Sequence, residues 1–251
     1  MIFRRRRHVP IIGVQGAGKS YFIVTLASFV AKHKWGYVDA PHIYDMMAYV
    51  QAMKPIPPTM GLIPVKVDID MVKYMGHVCQ KKVRISTGDI SGREFEQAIE
   101  EAKTSPDMDK MSPSLKKFID ILKKTDGLLA LIDITRYMGK TPDKVEAVLK
   151  SFSEQISPIA HAIELAVKLG MKEKPVFFVF SKKDIHKMDV DEIRRIFEPA
   201  WCILLRRLEA HGIRVGYYTI SSAGWSSLSD LDAFFYGQGF DKLLYDLVVA
   251  L

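Results

Sequence analysis

Residues 13–20 read G-V-Q-G-A-G-K-S, and the reading of this stretch decides the fold. It is a full match to G-x-x-x-x-G-K-[ST], the pattern of a phosphate-cradling loop. Gly13, Gly16 and Gly18 let the backbone curl around an anion without Cβ clashes. The amides running from Gly13 through Gln15, Gly16, Ala17 and Gly18 to Tyr21, at the start of a helix, offer partial positive charge to that anion. Lys19 adds a full charge for the β- and γ-phosphates, and Ser20 offers a hydroxyl to Mg²⁺. At ordinary glycine frequency, chance produces such a match in roughly one chain of this length in a hundred. The surroundings strengthen it. Val9–Gly13 is an apolar run, and Tyr21–Lys34 puts Phe22, Leu26, Phe29 and Val30 on one helical face.

Outward from the loop, strand and helix alternate. V-K-V-D-I-D at 65–70 and K-V-R-I-S at 82–86 change polarity at every residue, as half-buried strands do, and their closeness predicts an antiparallel hairpin. L-L-A-L-I-D-I at 128–134 and V-F-F-V-F at 176–180 are near-continuous apolar runs, the pattern of parallel strands covered on both faces. Helices are expected over about 39–53, 143–169, 190–211 and 241–251, with a strand at 214–220. Pro55, Pro57 and Pro58 dictate a loop, and Thr104–Ser114 is the least ordered stretch expected. The fold class is therefore α/β with a mostly parallel sheet, read as a single domain over 1–251 with 36–80 as an insertion or extended loop region.

Composition sets the outer limits. The chain has 251 residues, 48% hydrophobic and 26% charged, enough apolar material for a sizeable core. Cys79 and Cys202 give neither a disulfide framework nor a metal-ligand pair, and read as buried small hydrophobes of an intracellular protein. No segment reaches the ~18–20 apolar residues of a membrane span, and the N-terminus is too short and charged for a signal peptide. The net charge of +7 includes the run Arg4–Arg7, a solvated lead-in to the first strand or a contact for nucleic-acid phosphates or an anionic membrane surface. Elsewhere basic and acidic residues intermix, so there is no strong nucleic-acid footprint. Phe240, Leu243, Leu244, Leu247 and Val248 form one stripe on the terminal helix, expected to face the core.

Three shorter motifs follow the loop in order. D-I-S-G at 89–92 comes just after strand 82–86, where Asp89 would serve Mg²⁺ and the Gly92 amide would meet a γ-phosphate. S-K-K-D at 181–184 follows strand 176–180. A guanine presents two adjacent donors, N1–H and the N2 amine, and the Asp184 carboxylate is a fitting acceptor pair for them. The stem of Lys182 is long enough to lie over the base. S-S-A-G at 221–224 closes the next strand, where Ser222, Ala223 and Gly224 offer backbone amides to a guanine O6.

These four signatures, in this order, resemble the GTPases related to translation factors, Ras, Arf and the signal-recognition receptor's small subunit. The resemblance spans nearly the whole chain and implies a three-layer α/β/α P-loop NTPase fold with one antiparallel strand. It also implies GTP or GDP as ligand, Mg²⁺ as cofactor, and Lys19, Thr59 and Arg93 as catalytic candidates. Thr59, in P-T-M-G at 58–61, matches the switch threonine that joins Ser20 and Asp89 on the metal, although 40 residues separate it from Lys19, about twice the small-GTPase spacing. Arg93 stands where the family carries its water-orienting glutamine. Ser181 replaces an Asn or Thr, Gly224 a lysine, and Gln15 a glycine. These departures imply slow intrinsic hydrolysis that needs an arginine or a partner, with Arg93 and Arg136 as candidate charges that sequence alone does not place.

The leading expectation is a cytoplasmic GTPase switch read by a protein effector or activating partner, with peripheral membrane contact through Arg4–Arg7 a further expectation. The alternatives are an ATPase with the same loop and a nucleotide-bound scaffold with little turnover. A nucleotide kinase is disfavoured, because 139–145 carries Lys140 and Lys144 but no arginine cluster.

Overall fold

Every residue of β5 (Leu128–Asp133) and β6 (Val176–Ser181) is buried, as their unbroken apolar runs require. They lie inside a seven-stranded sheet of order β2-β3-β4-β1-β5-β6-β7. The structure, a computed structural model, describes residues 6–39, 65–87, 92–104, 112–140, 143–221 and 239–251. In the sheet β1 (Arg7–Ile12) runs parallel to β4 (His77–Thr87) and to β5, and β6 runs parallel to β5 and to β7 (Val215–Ile220). Only β3 (Lys66–Tyr74) is reversed among the described strands. It pairs antiparallel with β4 through a turn at Met75 and Gly76, and antiparallel with β2 (Gly36–Asp39).

Side-chain alternation along β6 separates the two faces. Phe178 and Phe180 meet Phe197, at 4.9 and 5.2 Å between ring centroids. Phe177, one residue out of phase, faces Tyr218, whose hydroxyl donates to Asp246 at 2.7 Å. Asp246 belongs to α8 (Phe240–Ala250), which shares its face with α1 (Lys19–His33) through Phe240 against Phe22 and Phe29. The other face carries α2 (Gly92–Thr104), α3 (Pro113–Lys123), α4 (Lys144–Lys168) and α6 (Val190–Ala200). The fold is thus a three-layer α/β/α sandwich. The apolar stripe of α8 is buried at all five positions.

Several expectations need correction. Asp39 ends strand β2 instead of opening a helix; 40–53 and the prolines at 55, 57 and 58 lie outside the described residues. Residues 105–111 of the stretch 104–114 lie outside the described residues, and its two ends join helices. Helix α2 runs to Thr104, and Ser112 caps α3 by accepting the Leu115 N–H at 3.2 Å, with Pro113 in the first turn, where its missing N–H costs nothing. The helix expected over 190–211 divides at Trp201, after Pro199, into α6 and α7 (Cys202–Ala210). The four residues after β6 form a short helix, α5 (Lys183–His186). Cys202 is exposed and Cys79 half-buried, so neither is a core hydrophobe.

The arginine run is partly consumed by the fold. Arg6 pairs with the buried Asp68 at 2.5 Å, beside a two-point contact from Arg84, and Arg7 pairs with the buried Asp126 at 3.2 Å. Arg4 and Arg5 lie outside the described residues. Among the described residues no helix is long and apolar enough to cross a membrane.

Candidate functional site

The loop 13–20 leaves the C-terminal end of β1 and enters α1, between β4 and β5 in the sheet. A Cβ at Gly13 would stand 2.7 Å from the Leu131 carbonyl oxygen, so only glycine lets the loop lie this close to β5. Gly16 and Gly18 take φ values of 79° and 90°, which turn the backbone amides inward. Gly18 occupies the N-cap of α1 without a side-chain cap, and the first turn contains no acidic residue, so the positive end of the helix stays uncompensated by its own side chains. Ser20 and the half-buried Tyr21 are in this first turn, and among the described residues the Ser20 hydroxyl has no hydrogen-bond partner.

Lys19 folds back over the loop. Its ammonium donates to the carbonyls of Gly13 at 2.6 Å and Val14 at 2.9 Å. Burial pushes its pKa down to about 8; the Glu96 carboxylate opposes that shift and the Arg136 guanidinium adds to it. Both of those charges touch Gln15. The Gln15 N–H donates to Glu96 Oε1 at 2.8 Å, and the Gln15 carbonyl accepts from Arg136 Nη2. Arg136 is held in turn by Glu154 of α4 at 2.9 Å, and Glu154 also accepts the Tyr137 hydroxyl.

The end of β6 braces the same loop. Ser181 Oγ donates to the Ala17 carbonyl at 3.1 Å and lies 3.3 Å from the Ile132 carbonyl. A serine therefore supplies the link to the phosphate loop here. The next residue, Lys182, has a φ of 64°, and its ammonium pairs at 2.5 Å with Asp133, which is 2% exposed. The other oxygen of Asp133 accepts the backbone N–H and the hydroxyl of Thr135 at 2.8 and 2.7 Å. Gln155 of α4 bonds both backbone groups of Asp133. Asp184 lies in α5, directly after these residues, and its side chain is outside the description.

Of the sequence-derived residues, the structure gathers Gly13, Gln15, Gly16, Ala17, Gly18, Lys19, Ser20, Ser181 and Lys182 at one end of the central strands. Gly92 opens α2, and Arg93 is exposed in its first turn. Thr59, Asp89, Ser222, Ala223 and Gly224 lie outside the described residues. Glu96, Asp133 and Glu154 were not singled out from sequence. Asp133 had a signal: it is the lone charge ending an apolar strand. Glu96 and Glu154 had none, since each is one carboxylate among many on a helix surface. Among the described residues no three His, Cys, Asp or Glu side chains form a metal site.

No protein-family model matches the chain, and no curated protein matches it by sequence. Solved structures with a similar course include a GTP-binding protein from the hyperthermophilic archaeon Sulfolobus solfataricus in complex with GDP, at 12% identity and TM-score 0.44, covering 97% of this chain and 52% of that one. Another is the signal recognition particle receptor SRb-GTP/SRX complex from Chaetomium thermophilum, at 12% identity and TM-score 0.46, covering 93% of this chain and 98% of that one. A complex of SsGBP with GDP gives 13% identity and TM-score 0.41, covering 99% and 52%. The chain spans about half the length of the first of these structures.

Proposed function

We propose that the chain is a divergent P-loop GTPase that binds GTP and GDP with Mg²⁺, hydrolyses GTP slowly and acts as a switch. One observation carries the reading. The S-K-K-D segment is tied to the phosphate loop by the Ser181 to Ala17 hydrogen bond, so a base reader and a phosphate cradle share one mouth. A nucleotide with its phosphates on Gly13–Ser20 would extend its base toward α5, which carries Asp184. Guanine matches a carboxylate there and adenine does not.

The residues at the loop suit Mg²⁺ delivered with a nucleotide. Among the described residues the Ser20 hydroxyl is unengaged beside the positive end of α1, and the phosphates themselves would supply most of the oxygen ligands. Ser20 would hold the metal, with Asp89 and Thr59 as the further ligands proposed from sequence. The metal would neutralise charge that builds on the β- and γ-phosphates. Arg136, fixed at Gln15 and Glu154, is the arginine placed to add charge at the same mouth, and it takes that role in preference to the exposed Arg93. Without a glutamine after Gly92, turnover is slow. The chain is read as one domain acting in the cytoplasm, with a protein effector or activating partner reading the state of its loops. The GDP and GTP named for structurally similar proteins agree with this reading without carrying it.

The test is equilibrium binding of fluorescent GDP and ADP with Mg²⁺ to the parent and to Asp184→Asn. Tight GDP binding, weak ADP binding and loss of the guanine preference in the variant are expected. Equal ADP binding, unchanged by the variant, would make S-K-K-D a surface turn and leave a P-loop ATPase or a nucleotide-bound scaffold as the reading.

A further inference from the structure

Gln15, at the exposed crest of the loop, has both of its backbone polar groups engaged by charged side chains: N–H by Glu96, C=O by Arg136. An arginine on a carbonyl at this place favours a polyanion. A carboxylate on an amide does the reverse, because it takes a donor that a terminal phosphate oxygen would use and places negative charge where that phosphate carries its own.

Glu96 also has a mechanical position. It lies one turn into α2, on a helix seated by Phe95, Ala98 and Ile99, all buried, with Phe95 edge-on to Phe118 of α3 at 5.5 Å. Near its other end Lys103 approaches Ser157 of α4 at 3.4 Å. The backbone that presents Glu96 to the loop is therefore fixed by packing.

We propose that Glu96 is a specificity-determining latch on the phosphate loop: it holds the Gln15 amide when a diphosphate is bound and must yield it to a third phosphate, so it biases the site toward the diphosphate. This rests on the reading of the loop as a nucleotide site. It does not rest on which base is read.

The experiment measures equilibrium affinities for GDP, GTPγS, ADP and ATPγS with Mg²⁺ in the parent, Glu96→Gln and Glu100→Gln. Glu100 is on the same helix, is exposed and pairs with Lys103, so its variant controls for a general change of charge. The Glu96 variant should bind the triphosphate analogue about tenfold more tightly, the order expected when a charged competitor for one donor is neutralised. Diphosphate affinity should change less than about threefold, and Glu100→Gln should leave the ratio alone. An unchanged ratio in Glu96→Gln, equal loss for both nucleotides, or the same shift in Glu100→Gln overturns the latch. A shifted ratio without guanine preference keeps the latch and removes the base reading. No binding of any nucleotide by the parent overturns both.

Discussion

The two ends of β1 both gather charge, and they use it differently. At the N-terminal end the buried Asp68 is held by Arg84 and Arg6, and the buried Asp126 accepts from Arg7 and from the His8 N–H at 2.9 Å. Each charge there finds its opposite within the fold. At the C-terminal end Lys19, Glu96 and Arg136 hold backbone atoms of a loop shaped for an anion, and three of those four contacts end on carbonyls. A carbonyl is a weaker partner for a cation than a phosphate is, so these contacts are exchangeable. Charge count alone does not locate a site. What separates the ends is Lys19, whose hydrogen bonds among the described residues go to two carbonyls and not to a carboxylate.

Removing Lys19 should test this most strongly. Lys19→Ala is expected to weaken nucleotide binding about a hundredfold or more, the scale of a lost charged contact to phosphate, with a melting temperature near the parent's. A large fall in stability instead would place Lys19 with the structural charges. Asp68→Ala should do the opposite. It leaves two arginines, each about a third exposed, without their carboxylate, and should cost about 2 kcal/mol after allowance for that exposure. In a chain of this size that is roughly 4–8 °C in melting temperature, with nucleotide affinity unaltered.

Smaller effects refine the picture. Arg136→Ala should slow single-turnover hydrolysis about tenfold while changing diphosphate affinity much less, since a charge used in the transition state lowers the barrier and not the ground state. An equal loss in both would make Arg136 a clamp on Gln15 alone. Ser181→Ala removes a buried donor that serves the Ala17 carbonyl and should cost about 1 kcal/mol. It should loosen the loop and lower affinity a few-fold, readable by hydrogen exchange at Ala17 and Gly18.

What could be read from the sequence divides along physical lines. The loop was legible because its chemistry is carried by local backbone conformation, and β5 and β6 because burial on both faces leaves no choice of residue. The terminal helix was legible from its stripe. Strand β2 was not, since four residues carry too little periodicity and their pairing comes from β3, far along the chain. Helix α2 was readable in principle: Phe95, Ala98, Ile99 and Ala102 are spaced at three and four residues. The division at Trp201 had its cue in Pro199. The contacts of Glu96, Arg136 and Glu154 had no sequence signal, because they exist only when α2, α4 and the loop meet in space. Thr59, Asp89 and 222–224 remain readings of the sequence.

The lysine folded over its own loop makes ligand binding a proton-linked event. With its pKa near 8, Lys19 gives up part of its charge in mildly alkaline solution. A bound phosphate favours the charged form and raises that pKa again. Binding should then draw close to half a proton from solvent at pH 8 and almost none at pH 6.5, and affinity should decline as the medium is made more alkaline than pH 8. Calorimetry in Tris and in HEPES at pH 8 should return heats that differ by the buffers' ionisation enthalpies scaled by that uptake. Lys19→Arg, which cannot titrate in this range, should erase the difference.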